Sequence, residues 1–201
     1  MKKSLLLVFA LLMVSGVFAQ RYERNILSVR GGMNIASQTL KEDGVSLDLD
    51  SRVGFHVGVS DQILLTKSMP LYLETGLYFS QMGAKYEGAV NRPMYLQIPV
   101  LVNYHFNIKN KVELIPYAGL AWGIGICGKA ESDEGLKVDY FGNDYGAKRC
   151  DLGVRLGVGV EWHKIYFGLG YDIGCMNILK ANEDLVKAHN NCFSLTVGYH
   201  F

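Results

Sequence analysis

Residues 152–174 read LGVRLGVGVEWHKIYFGLGYDIG. On either side of His163 and Lys164 the stretch alternates. Before them, Leu152, Val154, Leu156, Val158, Val160 and Trp162 share one parity, against Asp151, Gly153, Arg155, Gly157, Gly159 and Glu161 on the other. After them, Phe167, Leu169, Tyr171 and Ile173 oppose Tyr166, Gly168, Gly170, Asp172 and Gly174. Successive side chains of a strand point to opposite faces, so the stretch reads as a hairpin with one wholly apolar face. The other face mixes glycine with Arg, Asp, Glu and Tyr. A soluble barrel keeps bulky apolar residues inside and charges outside, and this second face makes no such core. It fits a narrow lumen, where glycine leaves room for large polar side chains from neighbouring strands. The apolar face then meets lipid, and closure of the barrel satisfies every backbone group.

The pattern recurs along the chain. Eight alternating segments lie near residues 25–36, 52–65, 71–85, 94–106, 112–127, 149–162, 165–176 and 191–201. The second sets Val53, Phe55, Val57 and Val59 against Arg52, Gly54, His56, Gly58 and Ser60. The fourth sets Leu96, Ile98, Val100, Val102, Tyr104 and Phe106 against Gln97, Pro99, Leu101, Asn103 and His105. The connections TKSMP, NIKNK and HK are short, whereas SQTLKEDGVSLDLDS, YEGAVNRP, KAESDEGLKVDYFGNDYGAK and ILKANEDLVKAHN are longer and polar. Up-and-down antiparallel strands would gather the short turns at one end and the long loops at the other. That is the plan of an all-β, eight-stranded transmembrane barrel of the outer-membrane type. The chain ends SLTVGYHF, which reads as a closing strand with Tyr199 and Phe201 in the periplasmic aromatic girdle.

The first residues, MKKSLLLVFALLMVSGVFAQ, have a basic start, a short apolar run and small residues up to Ala19. They read as a secretory signal peptide over residues 1–19, leaving residues 20–201 as one barrel domain. The apolar run is shorter than the roughly 20 residues that span a bilayer as a helix. The net charge of +1 argues against a nucleic-acid partner. With only 4 prolines but 23 glycines and 12 tyrosines, and period-2 alternation throughout, the composition suits an all-β chain.

The segments LYLETGLYFSQMGAKYEG, MYLQIPVLVNYHF, PYAGLAWGIGI and GVGVEWHKIYFGLGYDIG resemble, in order, the PorT-like outer-membrane β-barrel proteins of Bacteroidetes. The likeness spans the mature chain, and its most specific parts are QIP before an apolar run and GYDIG near the end. It implies an eight-stranded outer-membrane barrel and brings no catalytic motif. PorT itself is linked to secretion of proteins over the outer membrane.

Eight strands leave an interior that side chains fill, so inward charges have to pair. The inward set includes Arg30, Glu74, Arg155 and Asp172, with Tyr72, Tyr78, Tyr117 and Tyr166 among the glycines. Centring the HK turn between His163 and Lys164 sets Arg155 opposite Asp172. Centring the turn before it on Lys109 sets His105 opposite Glu113. A plugged lumen is therefore expected.

Other motifs read as ordinary. GIGICG, residues 123–128, matches G-x-G-x-x-G, but an acidic loop follows instead of a helix. It reads as an inward glycine row at Gly119, Gly123 and Gly125. His56, His105 and His200 face inward by parity, with His56 toward the outer end and the other two near the periplasmic end on opposite walls. They read as scattered lumen residues, with no metal or other cofactor expected. Ser132 and His189 fall in outer loops without a common site, so no catalysis is expected, a lipid-modifying enzyme being the alternative. The mildly acidic loops KEDGVSLDLD and ESDEGLKVD read as a solvated rim. Cys127, Cys150, Cys175 and Cys192 fall at the outer ends of the last four strands. Export makes bridges feasible, and Cys150 with Cys175 is the favoured pair, against free thiols. The expected partners are outer-membrane lipid, the barrel-assembly machinery through the last strand, and a protein at the outer loops. The expected state is a monomer in the outer membrane, either structural or interactive through those loops, or a PorT-like accessory of protein secretion.

Overall fold

The computed structural model describes residues 23–42, 45–86, 88–109, 112–133, 135–142, 146–179 and 186–201. The signal-peptide reading of residues 1–19 lies outside them. The strands are β1 (Asn25–Glu42), β2 (Val45–Asp48), β3 (Asp50–Leu64), β4 (Leu71–Gln81), β5 (Ala84–Tyr86) and β6 (Ala89–Tyr104). They continue with β7 (Phe106–Lys109), β8 (Val112–Glu131), β9 (Lys137–Asp139), β10 (Cys150–Trp162), β11 (Ile165–Gly174) and β12 (Val186–His200).

Eight of them form a closed antiparallel ring in the order β1, β3, β4, β6, β8, β10, β11, β12. β12 returns to β1 from Ser28 opposite His200 outward, so the sheet has no free edge. β2, β5 and β9 are short strands on the long-loop side, and β7 continues the β6 side of the turn into β8. Several long connections are thus partly strand, lengthening the barrel wall beyond the segments that alternate in sequence.

The faces are inside out relative to a soluble protein. Val53, Phe55, Val57 and Val59 on β3 are exposed, as are Phe167, Leu169, Tyr171 and Ile173 on β11 and Phe193, Leu195, Val197 and Tyr199 on β12. Ser28, Arg30, Asn34, Gln62, Glu74, Ser80, Gln97 and Asn103 are buried. A continuous apolar belt of this extent is far larger than the patches a soluble monomer exposes, and lipid is the solvent that accepts it. Tyr199 and Phe201 lie at the lower rim with rings 5.2 Å apart, edge to face.

Register follows from the turns. His163 and Lys164 both have positive φ, 51° and 70°, as a two-residue hairpin turn of the primed type requires. That turn aligns Trp162 with Ile165 and Arg155 with Asp172. The preceding hairpin centres one residue beyond Lys109: Phe106 faces Leu114 and Asn107 faces Glu113. Glu113 is therefore diagonal to His105, not directly opposite it. Between Met94 and Tyr95 the β6–β8 register slips by one residue, with Cys127 facing Met94 and Gly125 facing Tyr95. This bulge at Ile126 flips the parity of the end of β8, turning Cys127 outward and Ala130 inward.

The third long connection is not simply a solvated rim. Lys137–Asp139 pairs with β8, and the next residues, Tyr140 and Phe141, fold down into the barrel mouth. They join Ala36, Met82, Tyr95, Ala130, Ala147 and Cys192 in an apolar cluster. Phe141 lies edge-on to Tyr95 at 5.7 Å, and the Tyr140 hydroxyl accepts a bond from Gln38 Nε2 at 2.9 Å. Gly125 is required here, because a Cβ at that position would overlap the Phe141 ring. The charges of ESDEGLKVD hide an apolar pair, Tyr140 and Phe141, that follows them in sequence.

Candidate functional site

Polar residues fill the lumen in tiers. At mid-height, Arg155 Nε and Nη2 donate to Asp172 Oδ1 and Oδ2 at 2.6 and 2.7 Å, and Nη2 also reaches Gln97 Oε1 at 3.2 Å. Nearby, His56 Nδ1 meets Asn34 Oδ1 at 2.8 Å and its Nε2 meets Thr196 Oγ1 at 3.1 Å. One step toward the periplasm, Arg30 Nη1 donates to Glu74 Oε1 at 2.8 Å, with both side chains at most 5% exposed. Asn103 Nδ2 donates to the other Glu74 oxygen at 2.6 Å. The Arg30 guanidinium lies 4.0 Å over the Tyr166 ring, a cation–π contact in a desolvated setting. Gly159 and Gly168 make the room for that ring, since a Cβ at either would collide with it. The cavity left among these groups is about 30 Å³, roughly the space of one water molecule.

At the periplasmic mouth two histidines and two glutamates gather. His105 Nδ1 lies 2.7 Å from Glu113 Oε2, and His200 Nδ1 lies 2.6 Å from Glu161 Oε2. All four line one cavity of about 320 Å³ with Tyr72 and Lys164. This corrects the reading of scattered histidines for His105 and His200, which line one cavity from opposite walls of a narrow barrel. The diagonal placement of Glu113 does not prevent its contact with His105.

At the outer mouth, Leu40, Leu49, Val90, Leu136, Val138 and Ile178 line a second cavity of about 350 Å³. Gln38, Lys85, Asn91, Glu131 and Ser132 also line it, Gln38 and Asn91 bonding one another at 3.0 Å, and the rest of its walls are mainly apolar. Nothing in the alternation pattern points to it, because its walls come from the outer ends of β1, β6, β8 and β12, from β5 and β9, and from the loops between them.

The four cysteines are free: Cys127, Cys150 and Cys175 are exposed and Cys192 is buried. The bridge considered between Cys150 and Cys175 is not made. The HK turn brings the Cys175 N–H to Leu152 O, leaving Cys150 two residues farther out and diagonal to Cys175. Diagonal neighbours stand roughly 7–8 Å apart, somewhat less between Cβ atoms, against about 3.8 Å between the Cβ atoms of a disulfide. Cys150 itself faces Ile124. Ser132 and His189 are joined by no hydrogen bond among the described residues. The Ser132 N–H bonds Leu136 O, and His189 faces Thr39 across β1 and β12.

A closed eight-stranded ring with a lipid-facing apolar belt and a polar, filled lumen defines a small β-barrel of the bacterial outer membrane. The chain belongs to the family of the outer membrane protein beta-barrel domain, whose profile matches residues 7–201. Its place is the cell outer membrane. Among solved structures, it is similar to Neisserial surface protein A, at 14% identity and TM-score 0.50, over 87% of this chain and 97% of that one. It is similar to OprG from Pseudomonas aeruginosa, at 12% identity and TM-score 0.50, over 92% and 99% of the two chains. Ail of Yersinia pestis matches at 18% identity and TM-score 0.43, over 89% and 100%. With Neisserial surface protein A and OprG the likeness is one of fold. A search of the curated proteins found no match.

Proposed function

We propose that this barrel is a non-catalytic interaction protein that contacts its partner at the outer mouth and conducts nothing through its lumen. The observation that carries this reading is the 350 Å³ apolar cavity, built above the Tyr140–Phe141 plug and open at the cell-surface end. A pocket of this size and lining suits an apolar group: an acyl chain, or an aromatic or aliphatic anchor of a protein. Leu136 lines it while remaining 67% exposed, a side chain placed to be covered by something else. Monomeric insertion, with the assembly machinery engaging β12, accords with the closed ring. Incubation with labelled lipid A should leave the lipid unchanged.

Photo-crosslinking in intact cells tests the reading. A photoreactive residue at Leu136 should give a discrete adduct that Ala130→Trp, filling the cavity in a folded barrel, abolishes. An adduct pattern indifferent to Ala130→Trp would refute the pocket as the contact. The PorT-like segments support a finer version, in which the partner belongs to a protein-export system. A deletion strain that still secretes its full set of extracellular proteins would remove that version alone.

A further inference from the structure

The periplasmic mouth holds two carboxylates placed against each other. Glu113 and Glu161 are directly opposed on β8 and β10, and both line the mouth cavity with side chains 30% and 17% exposed. Like charges directly opposite on neighbouring strands repel. Each meets a histidine: His200 Nδ1 reaches Glu161, and His105 has both ring nitrogens against acceptor oxygens, Glu113 Oε2 and Gln62 Oε1 at 2.7 Å each, so that an ion at Nδ1 would displace a proton from it. Arg30 Nη2 lies 3.2 Å from His200 Nε2, and a guanidinium only donates, so Nε2 accepts and the His200 proton sits on Nδ1. His200 therefore reaches Glu161 as a neutral ring. Arg30 is itself paired with Glu74. Lys164 lines the cavity but makes no ion pair with either glutamate among the described residues.

His105, Glu113 and Glu161 each offer a ligand atom, and these atoms lie within 4.8 Å of one another. Around a four-coordinate ion with bonds of about 2.0–2.2 Å, ligand atoms stand roughly 3.4 Å apart, so small side-chain rotations close the set. His105 is already oriented. Its Nε2 lies 2.7 Å from Oε1 of the fully buried Gln62, and its ring packs on Tyr72 at 4.5 Å. Ligation through Nδ1 would leave Nε2–H donating to Gln62, the outer hydrogen bond that fixes the tautomer of metal-bound imidazoles. The hydrogen bond from His200 does the same service for Glu161. One nitrogen and two carboxylate oxygens suit a first-row ion such as zinc better than an all-oxygen ion or a thiolate-seeking one.

We propose that the periplasmic mouth is a zinc-type divalent cation site. His105 Nδ1 and one oxygen each of Glu113 and Glu161 are the ligands, with a water from the cavity completing the set. Gln62 and His200 are positioning residues. The ion would tie the periplasmic ends of β8 and β10 to the chain leaving β6, and the site is independent of the outer-mouth reading.

The test uses the full mature chain folded in detergent, with the four cysteines replaced by serine so that thiols cannot bind zinc. Zinc alone, followed by calorimetry, should bind at one ion per chain. Glu113→Gln and Glu161→Gln should each weaken binding at least tenfold, Gln62→Leu by about tenfold. His189→Ala, at the other end, should bind as the parent does. Faster gel migration of unboiled samples reports that each variant is folded. X-ray absorption of the zinc-loaded parent provides a readout without further mutation: a nitrogen and oxygen shell with one imidazole is expected. Absence of stoichiometric binding would overturn the proposal. So would unchanged affinity in the Glu113→Gln, Glu161→Gln double variant, or a shell with two or more imidazoles.

Discussion

Arg155 and Asp172 face each other across β10 and β11 and close a two-pronged ion pair inside the barrel, at 2.6 and 2.7 Å. The pair is set by a turn of two residues eight positions away from either partner. Its side chains are 15% and 11% exposed, and Arg155 keeps one further partner, Gln97. Removing one member of such a pair leaves an unpaired charge beside a cavity of only about 30 Å³.

Asp172→Ala should therefore destabilise the barrel by about 3 kcal/mol, the lower end of what breaking a buried pair causes. Arg155→Met combined with Asp172→Leu should recover most of that loss, because the stranded charge goes too. Urea titrations following the fast-migrating form would measure both. An Asp172→Ala barrel as stable as its parent would show that the pair is well solvated.

The lumen should be electrically silent. The Arg30–Glu74 and Arg155–Asp172 tiers leave about 30 Å³ between them, and Tyr140 with Phe141 covers the outer end. Purified protein in a planar bilayer should give no steady conductance. Stable single-channel steps that Asp172→Ala alters would reverse this and make the same charges a selectivity filter.

Lys164 carries a φ of 70° without being glycine. The left-handed region disfavours side chains with a Cβ by roughly 1–2 kcal/mol, and glycine relieves this at some cost in unfolded-chain entropy. Lys164→Gly should thus stabilise the barrel by about 1 kcal/mol. Destabilisation in the same urea assay would mean that the lysine side chain contributes more than its backbone strain removes.

The thiols should separate by accessibility. Cys127, Cys150 and Cys175 are exposed and Cys192 is buried in the lumen. A maleimide should add three times to the folded protein in detergent and a fourth time after unfolding. Peptide mapping without reduction should find no bridge. A recovered Cys150–Cys175 peptide would require a register different from that of the HK turn.

Alternation is a local property, and it determined the fold. Whether Leu156 or Arg155 meets lipid is settled by parity alone, because a strand has only two faces and the bilayer accepts only one kind. The HK turn is also local, so the pairing of Arg155 with Asp172 was legible from turn geometry. The contact of His105 with Glu113 was legible in the same way, although Glu113 proves diagonal rather than opposite; that Glu161 and His200 join them was not, because they come from other walls and only the curvature of a narrow ring brings them within reach. Nor was the outward turn of Cys127, which depends on one extra residue at Ile126 that β6 imposes on β8. The plug by Tyr140 and Phe141 and the apolar cavity above it were hidden for the same reason. Their neighbours in space are distant in sequence, and only tertiary packing decides where such side chains come to rest.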